Sequence, residues 1–169
     1  GSGKTRLCRT LANCYSEAGW NVVGLAPSAA AAEILHQEAE IQRSATLTKL
    51  LVENEHEAGP MRDYRVDRQA LVILDEASLA STRDTANLIA LAKQAGSKLV
   101  LVGDDEQLQS VEAGGLFTVL CQHFDTNELS EVRRMSAQWE REASTGLRQG
   151  DADALDQYID HGRVRSGTA

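Results

Sequence analysis

Two uninterrupted apolar quartets, Leu71-Val72-Ile73-Leu74 and Leu99-Val100-Leu101-Val102, leave this chain fewer choices than any other segments. A strand with one face in water alternates apolar and polar residues. A run apolar at every position must be covered on both faces, as in the middle of a parallel sheet. Each quartet also ends abruptly in carboxylates: Asp75-Glu76 follows the first, and Asp104-Asp105-Glu106 follows the second after Gly103.

Helical patterns fill the space around these strands. Leu7, Leu11, Cys14 and Ala18 recur at helical intervals, predicting a helix over 4–18 that Gly19 stops. Asn21 to Ala26 reads as a buried strand, and Ser28 as the N-cap of an Ala-rich helix running to about Glu40. Thr46 to Val52 reads as a short helix, and 53–69, with Gly59-Pro60, as a long polar connection. Beyond it, helices are expected over 83–95 (closed by Gly96), 114–123, 137–149 and 151–161, the last two parted by Gly150. A short strand is expected near Glu128-Leu129. Strands alternating with helices in this way predict an α/β fold, a parallel sheet flanked by helices.

The first residues suggest what such a sheet would serve. Gly1-Ser2-Gly3-Lys4-Thr5 supplies the last positions of the phosphate-binding pattern G-x-x-x-x-G-K-[ST]. A loop of this kind turns successive backbone N–H groups toward an anion at the positive end of the next helix. Gly3 leaves room for the phosphates, Lys4 would reach the β- and γ-phosphates, and the Thr5 hydroxyl would bind Mg²⁺. The competing interpretation is a Gly/Ser-rich segment that happens to precede Lys-Thr. The first glycine of the full pattern would lie three residues before Gly1. The reading therefore expects the fold to be truncated at its N-terminal strand, the one leading into this loop.

The carboxylates answer the loop. Ligands of open α/β sheets gather at the carboxyl ends of strands, which is where Asp75 and Glu76 stand. One carboxylate can hold Mg²⁺ and the next can orient or deprotonate an attacking water; alternatively, the pair simply caps the following helix. Gln107, after the second quartet, carries an amide able to donate to a γ-phosphate oxygen and accept from that water, or it is a solvated loop residue.

Composition narrows the remaining possibilities. A net charge of −8 over 169 residues gives no support for nucleic-acid binding by bulk electrostatics, although a local groove remains open. No apolar run approaches the roughly 18 residues that span a bilayer. The three cysteines make no C-x-x-C and, with four scattered histidines, suggest no metal site, a pattern suited to a reducing cytoplasm.

Taken in order, these clusters resemble the first RecA-like core of a RecD-like superfamily 1 DNA helicase, a P-loop NTPase. They are most similar to the helicase portion of MobF-type conjugative relaxases. The resemblance places Gly1–Thr5 in motif I, Leu25-Ala26-Pro27-Ser28-Ala29 in motif Ia and Leu74-Asp75-Glu76-Ala77 in motif II. Val102 to Leu108 then falls in motif III and Leu129 to Arg134 in motif IV, with Met135 standing where many relatives carry Gln. Trp139 to Ala143 and Gly162-Arg163-Val164 also look like the relaxase branch.

The resemblance implies ATP and Mg²⁺ as cofactors. Gly1, Ser2, Gly3, Lys4, Thr5 and Arg6 would line the nucleotide, Thr5 and Asp75 would hold the metal, and Lys4, Glu76, Gln107 and Arg134 would carry catalysis. Single-stranded DNA would meet Pro27, Ser28, Ala29 and Thr46. By residue chemistry alone, Ser28 is equally an ordinary N-cap, and Arg134 could instead pair with Glu131 or Glu142. Trp139 is open between base stacking and packing, whereas Trp20 reads as packing.

Residues 1–135 would form the ATPase core and 136–169 a helical segment leading toward a second RecA-like domain of the same parent chain, the other half of a working motor. The function implied is ATP-driven translocation on single-stranded DNA in conjugative plasmid transfer, in the cytoplasm, with this stretch alone inactive. The alternatives are a P-loop ATPase that does not act on DNA and a nucleotide-binding interaction module. In the resembled fold the strand before Gly1 lies beside Leu99–Val102, so an unfilled position is expected there.

Overall fold

The structure, a computed structural model, describes residues 3–55, 64–104, 115–129, 137–148 and 150–164. Lys4–Asn127 forms one compact unit, and Glu128 onward, grouped with the first three residues, forms another.

The larger unit is built on a four-stranded parallel sheet in the order β2-β1-β3-β4. The strands are β1 (Asn21–Ala26), β2 (Arg43–Thr46), β3 (Ala70–Leu74) and β4 (Lys98–Leu101). Helices α1 (Lys4–Glu17), α2 (Ala29–Glu38), α3 (Leu47–Glu55), α4 (Thr82–Ala95) and α5 (Leu116–His123) surround them. The period-two alternation of the strands sorts the core into two layers. Val23, Leu25, Val72 and Leu74 meet Leu47, Leu50 and Leu51 of α3 and Leu88 of α4. On the opposite side Leu71 and Ile73 meet Cys8 and Ala12 of α1 and Ala32 and Leu35 of α2. Helices thus cover both faces, as the apolar quartets required.

Local signals account for several boundaries. Ser28 caps α2, its hydroxyl accepting from Ala31 N at 3.1 Å, and Ser81 caps α4 by accepting from Asp84 N at 3.0 Å. Gly96 closes α4 in the left-handed region at φ 68°, where a side chain would be strained.

Three expectations change. The helix expected over Thr46 to Val52 forms as α3 from Leu47, but Thr46 itself ends β2, a strand the sequence pattern did not reveal, and its Oγ1 caps α3 by accepting from Lys49 N at 3.2 Å. β2 is short, with only Ala45 of Arg43–Thr46 buried, so it carries almost no apolar signal. The strand expected near Glu128-Leu129 is absent, and residues 125–129 hold no regular element. The connection expected over 53–69 begins later, because α3 continues to Glu55.

β4 pairs with β3 through Lys98–Leu101, and among the described residues no strand pairs with its other side. Among the described residues β4 is thus an edge strand of the sheet.

In the smaller unit, α6 (Gln138–Arg148) and α7 (Asp153–Asp160) pack against each other through Ala143 and Ala154, both buried. Trp139 stacks on His161 at 3.7 Å between ring centroids and meets Tyr158 edge-on at 5.6 Å. The Trp139 ring thus packs on two ring neighbours within the unit. Trp20 packs as expected, edge-on to Tyr15 at 5.3 Å.

Candidate functional site

The parallel sheet brings every strand's carboxyl end to one edge. Register pairs Ala26 with Thr46, Leu25 with Leu74, and Leu74 with Leu101. From β2 to β4 that edge reads Thr46, then Pro27-Ser28-Ala29, then Asp75-Glu76, then Gly103-Asp104. The chain leaving β1 turns to the layer of α2, and the chain leaving β3 turns to the layer of α4. The crevice between β1 and β3 is thus the switch point at which open α/β sheets receive ligands.

Backbone bonds fix the acidic half of this edge. Asp75 N donates to Leu25 O at 2.8 Å, Val102 N to Leu74 O at 2.8 Å, and Ala77 N to Val102 O at 2.8 Å. Asp75 Oδ1 accepts from Glu76 N at 2.9 Å. Glu76 itself occupies the left-handed region at φ 51°, ψ 38°, where a residue with a Cβ is uncommon. Its side chain is exposed and makes no cap bond to the 3-10 turn Ala77–Leu79 that follows. Capping does not explain this glutamate. A backbone outlier with a free carboxylate beside a ligand crevice is the usual mark of a functional position.

α1 brings the cation. Lys4 and Thr5 form its first turn, Gly3 precedes them at φ +84°, and Arg6 points to solvent. The Lys4 ammonium donates to Gly103 O at 3.3 Å and lies 3.8 Å from Asp104 Oδ2. Asp75 lies near the same helix. Burial first, and the Asp75 carboxylate second, push the Cys8 thiol from 9.0 up to about 12.

Gly103 is required by its surroundings. A Cβ there would lie 2.8 Å from the Phe117 ring of α5 and 3.2 Å from Ser78 N. The absent side chain lets the β4 end pack directly against the Phe117 ring and the Ser78 backbone.

The oxygen donors fit a magnesium nucleotide. The Thr5 hydroxyl and Asp75 carboxylate are hard ligands of the type Mg²⁺ takes alongside phosphate oxygens, and Lys4 stands at the positive end of a 14-residue helix. Gly1, Ser2, Gln107 and Arg134 lie outside the described residues. Ser28 and Thr46 stand side by side as N-caps, each at a strand's end, while Pro27 and Ala29 flank the first. Sequence reasoning missed the pairing of Lys4 with Gly103 and Asp104. The available signal was the position of Asp104 as the first carboxylate after the second apolar quartet.

Comparison with known proteins gives the family. The model of the AAA domain family matches residues 1–169. The chain belongs to this family. Over 165 residues, 97% of the chain, it is 37% identical to the conjugal transfer protein TraA of Rhizobium radiobacter. The probable conjugal transfer protein TraA of Sinorhizobium fredii is 36% identical over the same share. The RecD subunit of the RecBCD enzyme of Mycobacterium tuberculosis is 35% identical over 120 residues, 65% of the chain and 20% of that subunit. The chain spans 14% of the length of the TraA proteins.

Among solved structures, the AAA domain resembles the Pif1 helicase from Bacteroides, determined with ADP-AlF3 and single-stranded DNA, with a TM-score of 0.62. That match covers 100% of this chain and 45% of the other at 18% identity, a likeness of fold. The expected relationship to RecD-like helicases and conjugative relaxases therefore stands, as does the α/β P-loop architecture. No helix among the described residues is long and apolar enough to cross a membrane.

Proposed function

We propose that this AAA domain is the ATP-binding and hydrolysing core of a DNA helicase that moves along single-stranded DNA in conjugative plasmid transfer. One observation carries the proposal: Lys4, Asp75, Glu76 and Asp104 occupy one half of the sheet's carboxyl edge, while Ser28 and Thr46 occupy the other. A cation at a helix N-terminus facing carboxylates suits a magnesium triphosphate. Adjacent hydroxyl-capped helix N-termini suit the phosphates of a strand.

In this mechanism Gly1, Ser2, Gly3 and Arg6 line the nucleotide together with Lys4 and Thr5. Lys4 neutralises the β- and γ-phosphates. Thr5 and Asp75 would hold Mg²⁺, which when bound draws charge from the phosphate oxygens. Glu76 accepts a proton from the attacking water. Its strained backbone and uncapped carboxylate leave it available for that role. Gln107 orients the same water, and Arg134 clamps the transferring phosphoryl group. Pro27, Ser28, Ala29 and Thr46 meet the DNA backbone. The relatives' names support conjugative transfer, and their greater length supports a second RecA-like domain as partner.

DNA-dependent ATP hydrolysis by the whole protein tests the proposal. Single-stranded DNA should raise turnover at least several-fold, and Glu76→Gln should abolish turnover while leaving ATP binding intact. Turnover indifferent to DNA would leave a P-loop ATPase with another task. Binding without any turnover would leave a nucleotide-binding module.

A further inference from the structure

We propose that Asp104 is the resting counter-ion of Lys4: it holds the ammonium in the nucleotide-free protein and competes with incoming phosphates for it. The inference rests on the nucleotide-binding reading above and adds a positioning residue to that site.

The geometry is a contact between distant parts of the chain. Lys4 opens α1, whereas Gly103 and Asp104 follow β4, and the Lys4–Gly103 hydrogen bond joins positions 99 residues apart. The side chains of Lys4 and Asp104 are 28% and 10% exposed. An ammonium so largely withdrawn from water needs acceptors. The Gly103 carbonyl provides a dipole at 3.3 Å, and the Asp104 carboxylate provides the opposite charge at 3.8 Å.

A phosphate chain that reaches Lys4 meets this carboxylate within a few ångströms, where like charges repel strongly in a partly desolvated crevice. Some of the attraction between Lys4 and the nucleotide is therefore spent on displacing Asp104. The consequence is a threshold. A multiply charged magnesium nucleotide can overcome the resting pair, whereas a small weak anion gains too little.

The test is made on the whole protein with a fluorescent adenine triphosphate and Mg²⁺, comparing wild type, Asp104→Asn, Asp104→Glu and Lys4→Met. Asp104→Asn should bind the nucleotide about three- to tenfold more tightly, the scale of losing one partly screened charge pair. Asp104→Glu, which keeps the charge, should return affinity toward wild type. Without nucleotide, Asp104→Asn and Lys4→Met should each lower the melting temperature, and the double variant should melt no lower than the weaker single one.

Weakened or unchanged binding in Asp104→Asn, or additive melting shifts, would overturn the counter-ion role. A wild-type protein that binds no nucleotide would instead remove the reading on which the role rests. A purely structural aspartate could explain a lower melting temperature, but not tighter binding on its neutralisation.

Discussion

β3 and β4 carry nearly interchangeable apolar runs, Leu71-Val72-Ile73-Leu74 against Leu99-Val100-Leu101, yet they live in different environments. Every residue of Ala70–Leu74 is buried, whereas Lys98 is exposed and Leu99, Val100 and Leu101 are only partly covered. Among the described residues β3 has strands on both sides and β4 has a strand on one. An apolar run therefore specifies that a strand seeks burial; its place in the sheet decides how much burial it receives. The same difference separates their carboxyl ends. Asp75 is tied to β1 by its backbone N–H, while the β4 end turns to the side chain of α1's first residue.

Paired truncations would break this comparison most directly. Ile73→Ala, at a fully buried position in the layer of α1 and α2, should cost about 2–5 kcal/mol in urea unfolding. Val100→Ala in β4 should cost less, about 1–2 kcal/mol, since Val100 is only partly buried. Equal losses would mean that the two strands are equivalently packed after all.

Gly103→Ala comes next. Its Cβ would press on the Phe117 ring and should destabilise by about 1–3 kcal/mol. Displacing the β4 end should also reduce nucleotide affinity through Lys4. A stability loss with affinity unchanged would separate the β4 end from the site.

Cys8 sharpens the comparison from the β3 side. Its thiol ionises at 9.0 ordinarily and at about 12 here, so the unfolded chain gives up that proton first. The associated stability is fully present below pH 9 and is lost as pH rises toward 12. A Cys8→Ala variant should show a shallower decline in that window. At pH 8, exposed Cys14 should alkylate in the folded protein while Cys8 does not.

The smallest effect belongs to Lys98, whose ammonium lies 5.7 Å from the Tyr15 ring centre and 5.6 Å from that of Trp20. Lys98→Ala should cost about 0.5–1 kcal/mol, and Lys98→Arg should recover most of it.

Much of the fold was legible where burial leaves a pattern. The strands at Asn21–Ala26 and Leu71–Leu74, and the helix ended by Gly96, follow from apolar runs and backbone chemistry that act locally. β2 was missed because a four-residue edge strand with one buried side chain has too little periodicity to announce itself. The strand expected at Glu128-Leu129 rested on two residues and did not form. In the site, Lys4, Asp75 and Glu76 were legible because each stands at a fixed place relative to a strand or helix end. The left-handed backbone of Glu76 was not, since its sequence neighbours carry no turn glycine to signal it.

What the sequence alone determined is the chemistry available: a lysine and hydroxyl at a helix start, carboxylates at two strand ends, and hydroxyl caps after two strands. These depend on local periodicity and residue type. Only the tertiary structure decided which of them meet. Parallel pairing stacked the strand ends along one edge, the order β2-β1-β3-β4 divided that edge into a hydroxyl half and an acidic half, and the packing of α1 on the sheet brought Lys4 to Asp104. Contacts between residues a hundred positions apart arise from the packing of whole elements, and no local pattern encodes them.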